Sequence, residues 1–218
     1  MVASGVFTTA NLTSYCSLDD VLALLRAYDT TQWAAEEELV AEIASLLAPT
    51  KSAVDSAAGR DFMLHADETL VLDGTGTRVL LLAPLGLTPV VQVHSVSVGG
   101  TTLDHDDWLF YPEEAAIVLA ASSSFASRFP EGTRNVEVTL DWGFEATPSD
   151  VIAAQAKLVA AELIAKYSGE AGGVEAVSLG DYTVRYGGAG RYGYSVRRLV
   201  AEANETVARY RRIDFCAI

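Results

Sequence analysis

Basic residues are scarce in this chain. Fifteen lysines and arginines stand against 29 aspartates and glutamates, for a formal net charge of −14. Nucleic-acid-binding proteins gain affinity by neutralising phosphates with a basic face. The balance here excludes a conventional DNA-binding module, and an anionic membrane would repel the chain. Cysteine is scarce too. Cys16 and Cys216 sit near opposite ends; either they form a disulfide or both stay reduced, as thiols in a cytosol do. His65 and His94 each stand in a β-like segment without a second histidine at ligand spacing. Apolar runs are short, as in Val79-Leu80-Leu81-Leu82-Ala83, against the ~20 residues that span a bilayer. Met1 to Leu18 carries neither a basic segment nor an apolar core, so no secretory leader is expected and folding in a cytosol is.

What is present is apolar. Half of the 218 residues are hydrophobic and 20% are charged, which excludes a disordered chain and predicts a sizeable core in one large domain or a domain with an insertion.

Ser17-Leu18-Asp19-Asp20 reads as a helix start, with Ser17 as cap and Asp20 at its third position. A second helix is expected from a Thr31 cap, with Glu36, Glu37 and Glu38 in the favourable early turns and Gly59 as C-cap. Pro49 lies inside it, so a kink or break is expected there. From Phe62 the period changes to two. Thr69 to Asp73 and Arg78 to Leu82 read as strands joined through Gly74-Thr75-Gly76. Val91 to Val98 reads as another, with a slip at His94-Ser95 that predicts a β-bulge. Trp108 to Tyr111 and Ala116 to Leu119 form a hairpin around Pro112-Glu113. Along Asn135 to Trp142 the alternation is clean: Val136, Val138, Leu140 and Trp142 face one side, as in a half-solvated antiparallel sheet.

Thr147 caps and Pro148 opens the next helix. Val151 to Tyr167 is apolar nearly all round, with Gln155, Glu162 and Lys166 as one narrow polar stripe; such a helix is buried against several partners. Asp181 to Tyr186 reads as a short strand in a hairpin-like segment, and a last helix is expected from a Ser195 cap through Arg212. The fold class is therefore α+β: a bundle of about four helices with an inserted antiparallel β subdomain. Residues 15–62 together with 147–213 make the helical domain, 63–146 the insertion, and 214–218 a tail.

Candidate chemistry is thin. Gly188-Ala189-Gly190-Arg191-Tyr192-Gly193 matches G-x-G-x-x-G, but a dinucleotide fold needs a second parallel strand and an acidic residue after the helix, and too little chain follows. The run reads as a mobile tip loop, with Tyr186, Tyr192 and Tyr194 as side chains for a neighbouring subunit. Asp104-His105-Asp106-Asp107 lacks the spacing of a calcium loop and reads as a solvated turn. Ser122-Ser123-Ser124 has no nucleophile-elbow frame, and Cys16 has no adjacent base. No enzymatic role, metal or cofactor is expected. Arg197, Arg198, Arg209, Arg211 and Arg212 gather on or after the last helix, ahead of Phe215. Either they serve the helix dipole or they form a docking surface, with arginines for a partner's carboxylates and Phe215 as anchor.

The order of motifs resembles that of head–tail connector (adaptor) proteins of long-tailed bacteriophages and gene-transfer agents. Tyr15-Cys16-Ser17-Leu18-Asp19-Asp20-Val21 is similar to their opening, and Gly59-Arg60-Asp61-Phe62 to the end of their second helix. Leu72-Asp73-Gly74, Leu82 with Pro84, and Pro89 to Val98 are similar to the strand region of their longer members. Gly132-Thr133-Arg134-Asn135-Val136, Trp142-Gly143-Phe144 and Pro148-Ser149-Asp150-Val151 are similar to the run that leads into the next helix. The similarity spans roughly residues 15–168. The resemblance implies a structural virion protein of the neck, assembled in the host cytoplasm. It implies a ring of neighbouring copies, twelvefold beneath a portal protein, with DNA passing through the bore without specific binding. It also implies a C-terminal segment docked into the portal and a lower surface that receives a downstream neck, stopper or tail protein. Another neck or minor capsid protein, or an enzyme using the Gly188–Gly193 loop, are the alternatives.

Overall fold

The computed structural model describes residues 14–28, 30, 33, 35–82, 88–123, 127–168, 174–187 and 193–211. The fold is α+β. It divides into two compact units, one of them the span Phe62–Ala146 and the other built from the helices on either side of it.

The helical unit begins with α1 (Leu18–Leu25), where Ser17 and Asp20 close a reciprocal capping box. Helix α2 (Glu36–Ala58) ends on Gly59 in the left-handed conformation, φ 67°. Its expected Thr31 cap lies outside the described residues. The expected break at Pro49 does not occur: the helix runs on through it. A proline inside a helix removes the bond to the carbonyl four residues back, here that of Ser45, and side chains bind the next two carbonyls of the same turn. Thr50 Oγ1 donates to Leu46 O at 2.7 Å and Leu47 O at 3.1 Å, and Gln155 Nε2 donates to Leu47 O at 2.7 Å.

Gln155 belongs to α3 (Ser149–Ser168). The sequence put it on a polar stripe; the structure buries it completely. Its Oε1 accepts from Tyr15 N at 2.7 Å, Cys16 N at 2.9 Å and Ser14 Oγ at 3.2 Å. One amide thus joins the segment before α1, the proline turn of α2 and the centre of α3. Around it α3 is apolar on every side. Val151, Leu158, Val159, Leu163 and Ile164 are all buried, because α1, α2, α4 (Gly193–Arg209) and the hairpin of β8 (Val174–Leu179) and β9 (Tyr182–Gly187) share its contacts. Helix α4 starts two residues before the expected Ser195 cap, which lies inside it. Among the described residues no helix is long and apolar enough to cross a membrane.

In the span Phe62–Ala146, β1 (Leu64–Gly74), β7 (Gly132–Gly143), β3 (Val90–Val98) and β4 (Thr101–Thr102) form one antiparallel sheet in the order β1-β7-β3-β4. A second sheet has the order β2-β6-β5, with β2 (Val79–Leu81), β6 (Ala116–Leu119) and β5 (Trp108–Tyr111). The two strands that flank Gly74-Thr75-Gly76 therefore lie in different sheets, β1 against β7 and β2 against β6. Gly74 is required there: a Cβ on it would stand 1.9 Å from Pro130 O. Val136, Val138 and Leu140 of β7 are buried as the alternation demands, and they share one core with Leu80, Ile117, Leu119 and Trp108 of the second sheet. The register of β3 slips between Val93 and Ser95 where the bulge was expected. A second slip, in β1 between His65 and Glu68, carries Asp67 at φ 53°.

Candidate functional site

Of the basic residues singled out in the sequence, Arg197, Arg198 and Arg209 lie on α4, each with an acidic partner. Arg197 Nη2 pairs with Glu175 of β8, and its Nε donates to Tyr186 Oη at 3.2 Å. Tyr186 Oη in turn donates to Glu175 Oε2 at 3.1 Å. Tyr186 is only 3% exposed, so this tyrosine fastens the hairpin to α4 and offers no surface to a partner. Arg198 Nε lies 3.2 Å from Glu202, which also receives Lys157 Nζ at 2.9 Å. Lys157, with Arg198 behind it, holds the Glu202 carboxyl below the usual range. Arg209 faces Glu205 at 3.9 Å, a distance at which an exposed pair contributes little. Arg211 lies at a polar cavity of about 260 Å³ with Ser56, Asp181 and Asn204. Arg212, Phe215 and Tyr192 lie outside the described residues, as does the tail from 214.

Tyr194 is different. In the first turn of α4 it is 79% exposed, the largest exposure of any large apolar side chain described. Arg197 and Arg198 stand three and four residues on, hence on the same face, with side chains 63% and 61% exposed.

Gly188 to Tyr192 lie outside the described residues, Gly193 opens α4, and the preceding strand β9 pairs antiparallel with β8. A dinucleotide site needs parallel strands joined by a crossover helix. The Asp104–Asp107 turn closes on itself, since Asp107 N donates to Asp104 O and Asp107 O receives Ala120 N at 2.8 Å. Cys16 is buried with a free thiol, pushed up in pKa first by that burial.

The residues that could hold a cation are ones the sequence did not join. Asp67, His94 and Asp141 come from β1, β3 and β7, and their ligand atoms lie within 4.8 Å of one another. His94 Nε2 is 2.7 Å from Asp141 Oδ1 and 3.6 Å from Asp67 Oδ1, and Asp67 N donates to Asp141 Oδ1 at 2.8 Å. These groups already satisfy one another. They are 27 to 74 positions apart, and the slip at His94-Ser95 was the one local signal. Beside them His65 stacks on Trp142 at 4.0 Å, and Trp142 Nε1 donates to Glu68 Oε2 at 2.6 Å.

A cavity of about 760 Å³ lies in the β unit between β3 and β5. Trp108, Leu109, Val91 and Val93 form its apolar wall, and Arg78 and Asp106 are its charged residues. His105 packs edge-on to Trp108 at 4.9 Å. The cavity adjoins the outer face of the β2-β6-β5 sheet. There Val79, Val118 and Leu109 line up in one cross-strand row and Leu81, Ala116 and Tyr111 in the next; Leu81 and Leu109 are more than half exposed.

No family model matches the chain, and no curated protein does. Among solved structures the chain is similar to one from the neck of an empty GTA particle computed with C6 symmetry, at 16% identity and a TM-score of 0.46, over 97% of this chain and 96% of that one. It is also similar to one from the neck of a native GTA particle computed with C12 symmetry, at 14% identity and a TM-score of 0.47, with the same coverage.

Proposed function

We propose that this chain is a structural subunit of a phage-type neck: a head–tail connector that forms a ring under the portal and joins it to the next neck or tail protein. The observation that carries the reading is where the connector-like motifs fall. Tyr15 and Cys16 of the opening motif give their backbone N–H groups to Gln155, and Tyr15 Oη donates to Asp55 Oδ1 at 2.6 Å. Gly59 of the second motif ends α2 in the one conformation that favours glycine, and Phe62 packs at 5.5 Å against Phe144 of the third. The shared motifs are thus residues that fix this fold, and a common fold at those junctions is what a connector family would keep.

The chemistry agrees with a role in contact. Lys51, Lys157, Lys166 and the arginines of α4 already pair with acidic groups, which leaves an acidic excess, and exposed aromatic and aliphatic side chains remain on surfaces. A strongly acidic ring suits a passage through which DNA slides without being gripped.

The test is co-assembly with the portal protein of the same particle, read as mass and symmetry. A closed ring of twelve copies on the portal is expected; a chain that stays monomeric beside an intact portal overturns the reading. The docking tail is tested by truncation. Deleting 209–218 would also remove Tyr210, whose Oη donates to both Asp150 oxygens at 2.8 and 3.0 Å and ties the end of α4 to the start of α3. Deleting only 212–218 spares that tie, and portal attachment should still be lost.

A further inference from the structure

A ring of identical chains needs two different surfaces per copy, because a surface that meets itself makes a two-fold pair. At a net charge of −14, those surfaces must also avoid placing acid against acid. Two surfaces described above meet both demands. One is the start of α4, where Tyr194 stands clear of the protein with Arg197 and Arg198 beside it. The other is the 760 Å³ groove of the β unit.

Their properties are complementary. The groove has an apolar wall in Leu109, 53% exposed, and Trp108, 4% exposed, whose Nε1 has no hydrogen-bond partner among the described residues. Buried polar groups nearly always have one, so this indole is an unsatisfied donor in the groove wall. The exposed Asp104 and Asp106 stand at the adjoining turn; Arg78, which also faces the groove, is engaged through Nε with Leu119 O at 2.6 Å. A volume of 760 Å³ falls in the range of ~300–1,000 Å³ typical of pockets that bury a ligand's surface; it has room for a phenol ring and the stems of two arginines. Tyrosine and arginine are the residue types that dominate interface energetics.

We propose that Tyr194 of one copy, flanked by Arg197 and Arg198, seats in the groove walled by Trp108 and Leu109 of the next copy. This is the heterologous contact by which the ring closes. It rests on the neck reading above and names the surface that reading requires. Arg197 and Arg198 keep free donors beyond their bonds to Glu175 and Glu202, since a guanidinium carries five; these reach Asp104 and Asp106 of the neighbour. The area is small, so the contact is weak singly and strong when repeated on a template.

Mixed single-cysteine copies test it. In a Cys216→Ser background one variant carries Ser195→Cys, beside a retained Tyr194, and the other Ala121→Cys, on the exposed turn that lines the groove. Cys16 is buried and stays. The two are assembled together on the portal and oxidised. Covalent dimers are expected from the mixture and from neither variant alone. Tyr194→Ala should cut ring assembly at least tenfold while leaving the far-ultraviolet spectrum unchanged. A ring of normal mass with no mixed dimers overturns the groove assignment alone. Dimers from either single variant overturn the heterologous geometry, and failure of the unmodified chain to form any ring overturns the neck reading and this contact together.

Discussion

Replacing Gln155 by methionine keeps the volume of the side chain and removes both ends of its amide. The structure sets the cost. Two backbone N–H groups, of Tyr15 and Cys16, lose their bonds to Oε1, and Leu47 O loses the donor Nε2 but keeps Thr50 Oγ1. A buried donor stripped of its acceptor costs about 1–3 kcal/mol, and the more apolar methionine returns part of that. A net loss of about 3 kcal/mol follows, a large share of the ~5–15 kcal/mol by which domains are stable. With urea slopes of ~1–3 kcal/mol per molar, the midpoint read by ellipticity at 222 nm should fall by ~1–3 M. Gln155→Glu makes the test sharper. Its ionised carboxylate still accepts from both N–H groups but cannot donate to Leu47 O, so the variant should regain stability as pH falls and the carboxyl becomes a donor. A Gln155→Met midpoint within ~0.3 M of the parent would refute the claim that this amide joins three segments.

Further outcomes follow from single groups. Gly143→Ala, at φ 98° with a Cβ placed 2.0 Å from Met63 O, should destabilise the β unit by ~3 kcal/mol or more through strain and displacement. Gly99→Ala, at φ 58° with nothing within 4 Å, should cost only ~1 kcal/mol; equal losses in paired urea titrations would contradict the steric account. Burial raises the Glu162 carboxyl above its usual pKa, against a lowering by its hydrogen bond with Tyr182. A folded-state pKa above the unfolded one means that this group favours folding below the unfolded pKa and that the gain is lost as pH rises through the folded value. Glu162→Gln should therefore stabilise the protein near neutral pH, by less than ~1 kcal/mol given its partial exposure. The advantage should vanish in acid; an advantage that grows in acid would reverse the sign.

Local rules in the sequence carried the start of α1 and features of single strands. The Ser17/Asp20 box, the alternation along β7 and the bulge at His94 depend on neighbours within a few positions, and all three are in place. What could not be read depends on distant partners. Gln155 looks like a surface residue in an apolar helix until Tyr15, Cys16 and Leu47, 108 to 140 positions away, close on it. Pro49 signals a break by every local rule, yet the helix runs through it, with Thr50 and Gln155 bonded to the Leu46 and Leu47 carbonyls of the turn before it. The pairing of β1 with β7 spans the whole insertion, so no turn signal announced it. At the candidate surface the arginines were legible as a cluster, but not that Arg197 and the buried Tyr186 both bond Glu175 while Tyr194 turns out.

The charge of the chain yields one more prediction, because two electrostatic effects oppose each other in a ring and differ in range. Repulsion between copies of net charge −14 acts over tens of ångströms. The contact of Arg197 and Arg198 with a neighbour's Asp104 and Asp106 acts at hydrogen-bond distance. The screening length is ~30 Å at 0.01 M salt, ~8 Å at 0.15 M and ~3 Å at 1 M. Raising salt from 0.01 to 0.15 M removes most of the long-range repulsion while a pair in contact keeps most of its attraction. Ring assembly followed by mass should therefore improve over that interval and decline only toward 1 M. A steady decline from the lowest salt upward would mean that contact pairs outweigh the repulsion, and that the acidic surface does not govern how copies meet.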